Sequence, residues 1–385
     1  MIRPPRGFSL SEFEHRATRA QNLMAKLGID ALFLCTEPEV RYFSGFQSQF
    51  WESPTRPWFL VLPLEGRPIA VIPEIGLSGM QATWVEDIRT WPAPRPGDDG
   101  LSLLTQVFSE LAKRYGQIGA LLGHESYLRM PFVDFQRLQN IIGFVDATPL
   151  MRTLRNVKST EEIDKTRFIC QIASDSFENL PNILKAGQSE RDNCRRMTID
   201  MLERGADAVP YLIAGSGPDG YESIIMGPTE RIIKTGDIMI VDTGANYDGY
   251  FCDFDRNFSF GRPNKEVQRA YEVVYQATNA GFKAARPGAT TADLWEAMAA
   301  VLETGGSQGN DVGRMGHGLG MQLTEGPSVS HLDKTALEVG MVLTLEPGMT
   351  MVTGKQMVHE ENIVITEDGA EYLSTRAPQE LPIID

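Results

Sequence analysis

Two stretches of this chain, 236-GDIMIVDTG-244 and 340-GMVLTLEPG-348, follow one pattern at an offset of 104 residues. Upstream of them, 187-GQSERD-192 and 288-GATTAD-293 share Gly-x-Ser/Thr-x-x-Asp at an offset of 101. In the upstream pair a Ser or Thr is followed three residues on by an acid, which caps the free N–H groups of a helix start. In the downstream pair an apolar, β-rich run ends in a carboxylate, Asp242 or Glu346. Each run is followed by a second strand-like segment with another carboxylate, Asp253 or Glu360. A six-residue match alone means little. Two matches in the same order, at nearly equal offset, predict a duplicated helix–helix–hairpin unit whose halves close on a shared site with two carboxylates from each.

The turn signal Asn246-Tyr247-Asp248-Gly249 follows the strand 238-IMIVDT-243. Folding about the centre of those four residues pairs positions whose numbers sum to 495, which sets Asp242 opposite Asp253. Cross-strand neighbours lie close enough for both carboxylates to reach one cation, and without one they would repel. His317 is embedded in Gly316-His317-Gly318-Leu319-Gly320, where the missing side chains let backbone and metal approach closely. Glu346 closes the apolar strand 341–346, a costly place for an acid that is neither paired nor bound to metal. Glu360 opens the strand 360–366, and alternation sends Glu361 to the other face. Four hard carboxylates and one imidazole are a donor set for two divalent ions that activate water.

The first 150 residues alternate helix and strand patterns and predict a small α/β domain. Ser11 with Glu14 reads as the capping box of a helix that runs to about Gly28. Strands are expected at 31–35, 58–63, 69–73 and 118–123, with helices at 99–116 and near 131–141. A second capping box, Ser159 with Glu162, opens a long helix, so the domains are placed at 1–152 and 153–385. A formal charge of −15 disfavours nucleic acid as a partner. Cys35, Cys170, Cys194 and Cys252 form no CxxC pair and read as reduced structural thiols. With no signal-peptide pattern in the first residues and no membrane-length apolar run, the expected compartment is the cytoplasm.

These blocks resemble the pita-bread metallopeptidase family, which includes methionine aminopeptidase, aminopeptidase P, prolidase and creatinase. VDTGANYDGYFCD, MGHGLG, LTLEPG and VHEENIVIT correspond to its motifs, and the likeness covers about residues 152–375. The first half is similar to the creatinase/prolidase N-terminal domain. The resemblance implies an α+β pita-bread catalytic domain behind the α/β domain, with an internal pseudo-twofold. It implies two divalent ions, manganese, cobalt, iron or zinc, with Asp242 and Asp253 on one and His317 on the other. Glu346 and Glu360 complete the set, Asp253 and Glu360 as bridges, and Glu346 also takes the proton from a metal-bridging hydroxide. It further implies a homodimer in which a loop such as 50-FWESPTRPWF-59 reaches the partner's site, making Arg56 a candidate substrate contact. Tyr221 and Thr324 are the other two candidates.

The chain departs from the family at its proton carriers. A family histidine about seventeen residues before the first Asp falls near Met226 here, and another seven residues after the metal histidine is Thr324. The usual Thr-Arg-Thr is Asp255-Arg256-Asn257, and His331 and His359 read as surface residues or as neighbours of the ligands. The expected activity is a dinuclear-metal Xaa-Pro dipeptidase or aminopeptidase P-like exopeptidase acting on a small peptide. The alternative is a hydrolase or lyase of a small zwitterionic metabolite, like creatinase or the dimethylsulfoniopropionate lyases. A non-catalytic binding protein is a third reading, tested by metal content.

Overall fold

The computed structural model describes residues 2–309 and 313–384. The chain divides into two compact units, Pro5–Arg155 and Asn156–Asp385, the latter joined by the first four residues.

The first unit is built on a six-stranded mixed sheet in the order 87–91, 69–73, 59–63, 31–34, 117–120, 143–146. The central strands are buried along their whole length because helices cover them, so they read as continuous apolar runs. The helix Leu10–Leu27 is capped by Ser9, whose Oγ accepts the Glu12 N–H at 3.2 Å, and not by Ser11. The helix starts two residues earlier than the sequence pattern suggested, and Ser11 spends its hydroxyl on Ser9. The strand expected at 118–123 ends at Ala120. Strands Asp87–Trp91 and Gly143–Asp146 went unread, since their short, half-exposed runs carry no period.

The second unit holds the duplication as physical structure. Helices Thr160–Ile183 and Glu190–Arg204 precede the hairpin of Asp237–Tyr247 with Phe254–Phe260. Helices Lys265–Ala284 and Thr291–Gly305 precede the hairpin of Val342–Leu345 with Glu361–Thr366. Ser159 and Thr290 make complete capping boxes, and Ser189 accepts the Asp192 N–H. The correspondence extends to single hydrogen bonds. Gly187 N–H donates to Ile233 O at 2.8 Å and Gly288 N–H to Leu337 O at 2.9 Å. In return, Ile233 N–H reaches Gln188 O at 3.0 Å and Leu337 N–H reaches Ala289 O at 2.7 Å.

The register of the first hairpin corrects the sequence reading. Asp242 pairs with Asp255, and Tyr247 with Tyr250, so partners sum to 497. The turn is the two-residue Asp248-Gly249, with φ of 49° and 81°, the left-handed pair that matches strand twist. Centring the turn on four residues misplaced the ladder by two. A slip of two preserves the face, so Asp253 still shares a face with Asp242, diagonally rather than directly across. All four cysteines are free and buried. Among the described residues no helix is long and apolar enough to cross a membrane.

Candidate metal centre

The carboxylates of the two hairpins converge. Ligand atoms of Asp253, His317 and Glu360 all lie within 4.8 Å of one another, and all three residues are buried. Ligands about 2.0–2.2 Å from one ion stand up to ~4.4 Å apart, so this spacing suits a shared cation. Asp242 and Glu346 are half-buried beside them. His317 Nε2 is 3.5 Å from Asp253 Oδ2 and 4.0 Å from Glu346 Oε1. In the second hairpin Leu345 pairs with Glu361, so the next ladder position sets Glu346 across from Glu360.

The imidazole is oriented by its neighbours. His317 Nδ1 is 2.9 Å from the Gly318 carbonyl, which can only accept, so Nδ1 carries the proton. Nε2 is left with its lone pair toward the carboxylates, the arrangement of a metal-binding histidine. Burial and the Arg314 charge pull its pKa below the usual value against the pull of Glu346. Gly318 is needed for space, because a Cβ there would stand 1.9 Å from the Gly326 carbonyl oxygen.

The electrostatics test whether cations fit. Burial raises Asp242, Asp253, Glu346 and Glu360 above the ordinary carboxylate range, and their mutual charges push Asp242 and Glu360 further. Asp242 Oδ1 and Glu360 Oε1 are sealed from solvent without a hydrogen-bond partner. Buried carboxylate oxygens left unpaired are costly. A cation satisfies both atoms and removes the repulsion, so the donor set fits.

Adjacent residues hold the ligands. Asn362 Oδ1 accepts the Asp253 N–H at 2.9 Å while its Nδ2 donates to the Asp253 carbonyl. Arg256 donates through Nη1 to the Glu360 carbonyl at 3.0 Å and through Nη2 to Glu361 at 3.0 Å. Arg376 Nη1 meets Glu361 at 3.1 Å and His359 Nε2 at 3.1 Å. Glu361 is therefore fully buried in an arginine pair, and Arg256, His359 and Arg376 draw its pKa below the usual range against its burial. His359 is spoken for as well, with Nδ1 3.0 Å from Thr278 Oγ1 and burial lowering it to about 3.

The substrate-contact candidates fare unequally. Tyr221 is 1% exposed, donating to Asn257 Oδ1 at 3.0 Å and accepting from Val358 N–H at 2.8 Å. Its hydroxyl braces the strands around it. Thr324 is exposed next to Leu323, which packs over Gly244. Met226 is 60% exposed, and His331 lies against Trp295. Arg56 belongs to the first unit, where its guanidinium lies 5.4 Å from the Phe50 ring and its loop carbonyls converge on Arg129.

Four residues near the ligands escaped the sequence reading. Asp255, across from Asp242, is buried with its Oδ2 unpartnered. Its substitution for a family threonine was visible, but the wrong register hid its position. Tyr211 hydrogen-bonds Asp242, and burial together with the ligand charges raises its pKa. Arg314 lies just before MGHGLG, and Asn362 lies inside VHEENIVIT, where no residue pattern sets it apart.

The family model for metallopeptidase family M24 matches residues 164–368, and that for the creatinase/prolidase N-terminal domain matches 16–157. The chain belongs to metallopeptidase family M24. It is a hydrolase of that family, with the creatinase-type α/β domain in front of a pita-bread catalytic domain. M24 membership implies divalent metal ions, consistent with the buried donor group. A probable dipeptidase PepE of Mycobacterium tuberculosis is 28% identical over 98% of both chains. The uncharacterized peptidase YqhT of Bacillus subtilis is 28% identical over 95% of this chain and 99% of its own. The crystal structure of dipeptidase PepE from Mycobacterium ulcerans superposes with a TM-score of 0.86 at 27% identity, covering 98% and 99%. The fold is also that of a prolidase from Thermococcus sibiricus, with a TM-score of 0.87 at 24% identity, covering 98% and 100%.

Proposed function

We propose that this M24 hydrolase is a two-metal dipeptidase of the Xaa-Pro type, acting on small peptides. The observation that carries the reading is the buried group Asp253, His317 and Glu360, with Asp242 and Glu346 beside it and two sealed carboxylate oxygens that a cation would satisfy. Those five residues would hold the two ions. When bound, the ions supply Lewis-acid polarisation of a carbonyl and a water activated at neutral pH. Glu346 is the residue placed to move a proton, because it is half-buried, raised by burial, and next to His317. His317 stays neutral and keeps Nε2 for a cation. Tyr211 orients the Asp242 carboxylate from the side. The PepE relatives support a dipeptide substrate over a longer peptide.

One observation favours a second reading. At the two positions where peptidases of the family carry proton-donating histidines, this chain has Met226 and Thr324, and both are exposed. His359 cannot replace them, being enclosed by Arg376, Glu361 and Thr278. A small zwitterion with a better leaving group than a peptide amine would need no such donor. The experiment is a turnover screen of protein loaded separately with manganese, cobalt, iron and zinc. Release of amino acids from Xaa-Pro dipeptides establishes the first reading. Failure on every Xaa-Pro dipeptide and Xaa-Pro-Xaa tripeptide, with turnover of a small zwitterion, replaces it by the second.

A further inference from the structure

Asn362 can grip Asp253 only while its amide holds one orientation. Turned over, it would set Nδ2 against the Asp253 N–H and Oδ1 against the Asp253 carbonyl, two like pairs in place of two hydrogen bonds. Oδ1 therefore takes the Asp253 N–H and keeps a second lone pair to satisfy. The Asn362 side chain is fully buried. It shares a strand face with Val364, which belongs to an apolar cluster with Ile169, Cys170, Ala173, Val342 and Phe254. A buried amide oxygen in such surroundings depends on side-chain donors.

Cys170 supplies the second donor. Its Sγ stands 3.3 Å from Asn362 Oδ1, and both residues are 0% exposed. Oδ1 can only accept, so the thiol donates. The residue type suits the place, because a thiol is a small apolar group with one weak donor. It packs within the cluster and still serves the amide. One helical turn further along Thr160–Ile183, Ser174 Oγ donates to the Cys170 carbonyl at 2.7 Å and accepts the Thr375 N–H at 2.9 Å. One face of a first-half helix thus meets the second half at both Asn362 and Thr375.

We infer that Cys170 is a positioning residue for the metal centre: its thiol fixes the Asn362 amide, and the amide fixes Asp253. The inference rests on Asp253 being a metal ligand, as in the proposed function, and adds to it a residue that acts through another side chain. Without the thiol, Oδ1 keeps one donor instead of two, and the amide is free to tilt away from Asp253.

The test uses the full chain with cobalt(II) as the probe and needs no substrate. Cobalt affinity by chelator competition is expected to fall about 3- to 10-fold in Cys170→Ala. The visible absorption of the bound cobalt should shift, because Asp253 is displaced. Cys170→Val fills the space without a donor and should behave like Cys170→Ala. Cys170→Ser keeps a donor and should stay within about 2-fold of the parent with the parent's spectrum. Its hydroxyl in an apolar cluster should nevertheless lower the Tm of the metal-free protein. Affinity then follows the donor and not the stability, which a role in packing alone would not produce. In an Asn362→Ala background, Cys170→Ala should weaken cobalt binding no further, since the thiol acts only through the amide. Parental affinity in Cys170→Ala or Cys170→Val, an equal loss in Cys170→Ser, or an undiminished loss in the Asn362→Ala background overturns the inference and leaves the metal centre standing. A parent protein that binds no cobalt, manganese, iron or zinc ends the metal-centre reading, and the role of Cys170 with it.

Discussion

The two halves of the catalytic unit share a plan and differ in how each delivers its second carboxylate. In the second half, Glu346 and Glu360 each lie one residue beyond the ladder that ends at Leu345 and Glu361, in positions that would face each other if it continued. In the first half the position across from Asp242 belongs to Asp255, and Asp253 lies just outside the strand Phe254–Phe260. Asp253 therefore sits two places from the residue that faces Asp242. Asn362, from the second half, grips its N–H and its carbonyl and replaces the missing strand neighbour. Duplication supplies the frame, and a cross-half side chain then corrects one ligand. The lesson is that a repeat can be regular in its helices and caps and still be asymmetric at the atoms that matter.

Removing a ligand should abolish that difference, because both halves then fail alike. Asp253→Ala and Glu360→Ala should each lower kcat/KM by on the order of 10³-fold or more, with elemental analysis showing fewer bound ions. Retention of both ions in either variant would break the symmetry of the proposed site. Chelation acts on all four carboxylates together. Excess chelator should lower Tm, since metal at ~100 times its Kd contributes about 2.7 kcal/mol. The pH dependence of the chelated protein has a definite sign. Asp242, Asp253, Glu346 and Glu360 have folded pKa values raised above their unfolded ones. Their contribution is fully present below the ordinary carboxylate range and is lost as pH rises through the raised values. Tm with chelator should therefore fall as pH rises above the ordinary carboxylate range, and a flat or rising profile would contradict the repulsion argument.

Asn362→Ala sharpens the asymmetry itself. Metal affinity by chelator competition should drop roughly 10- to 100-fold. Thr344, across the ladder from Asn362, holds His317 by accepting its N–H at Oγ1, 3.2 Å away. Thr344→Val should cost less than Asn362→Ala, because it removes one contact to the ligand backbone instead of two. The smallest expected effect tests where the halves are alike. Ser189→Ala and Thr290→Ala remove equivalent helix caps and should each cost about 1 kcal/mol by urea unfolding. A difference well beyond that would mean the two helix starts carry unequal loads.

Much of the site was legible because it is local in sequence. The caps at Ser159 and Thr290 and the apolar runs that carry Asp242 and Glu346 are each decided within a few residues. Glu360 could be separated from Glu361 by alternation, and the structure puts Glu361 with Arg256 and Arg376 instead of in the cluster. That Tyr221 is buried and hydrogen-bonded to Asn257 and Val358 was not legible, because a tyrosine next to a motif says nothing about whether its ring is buried. The first hairpin's register was misjudged by two residues, because a four-residue turn signal does not say which two residues turn. The left-handed φ values at Asp248 and Gly249 settle it.

The sequence by itself determined the duplication and the family and proposed the donor set, since each rests on spacing along the chain. Tertiary structure decided which carboxylates face one another, that Asn362 fastens Asp253, and that Arg256 and Arg376 enclose Glu361. Those outcomes depend on contacts between segments about a hundred residues apart. Burial and hydrogen-bond saturation are properties of the packed neighbourhood, and no local pattern encodes them.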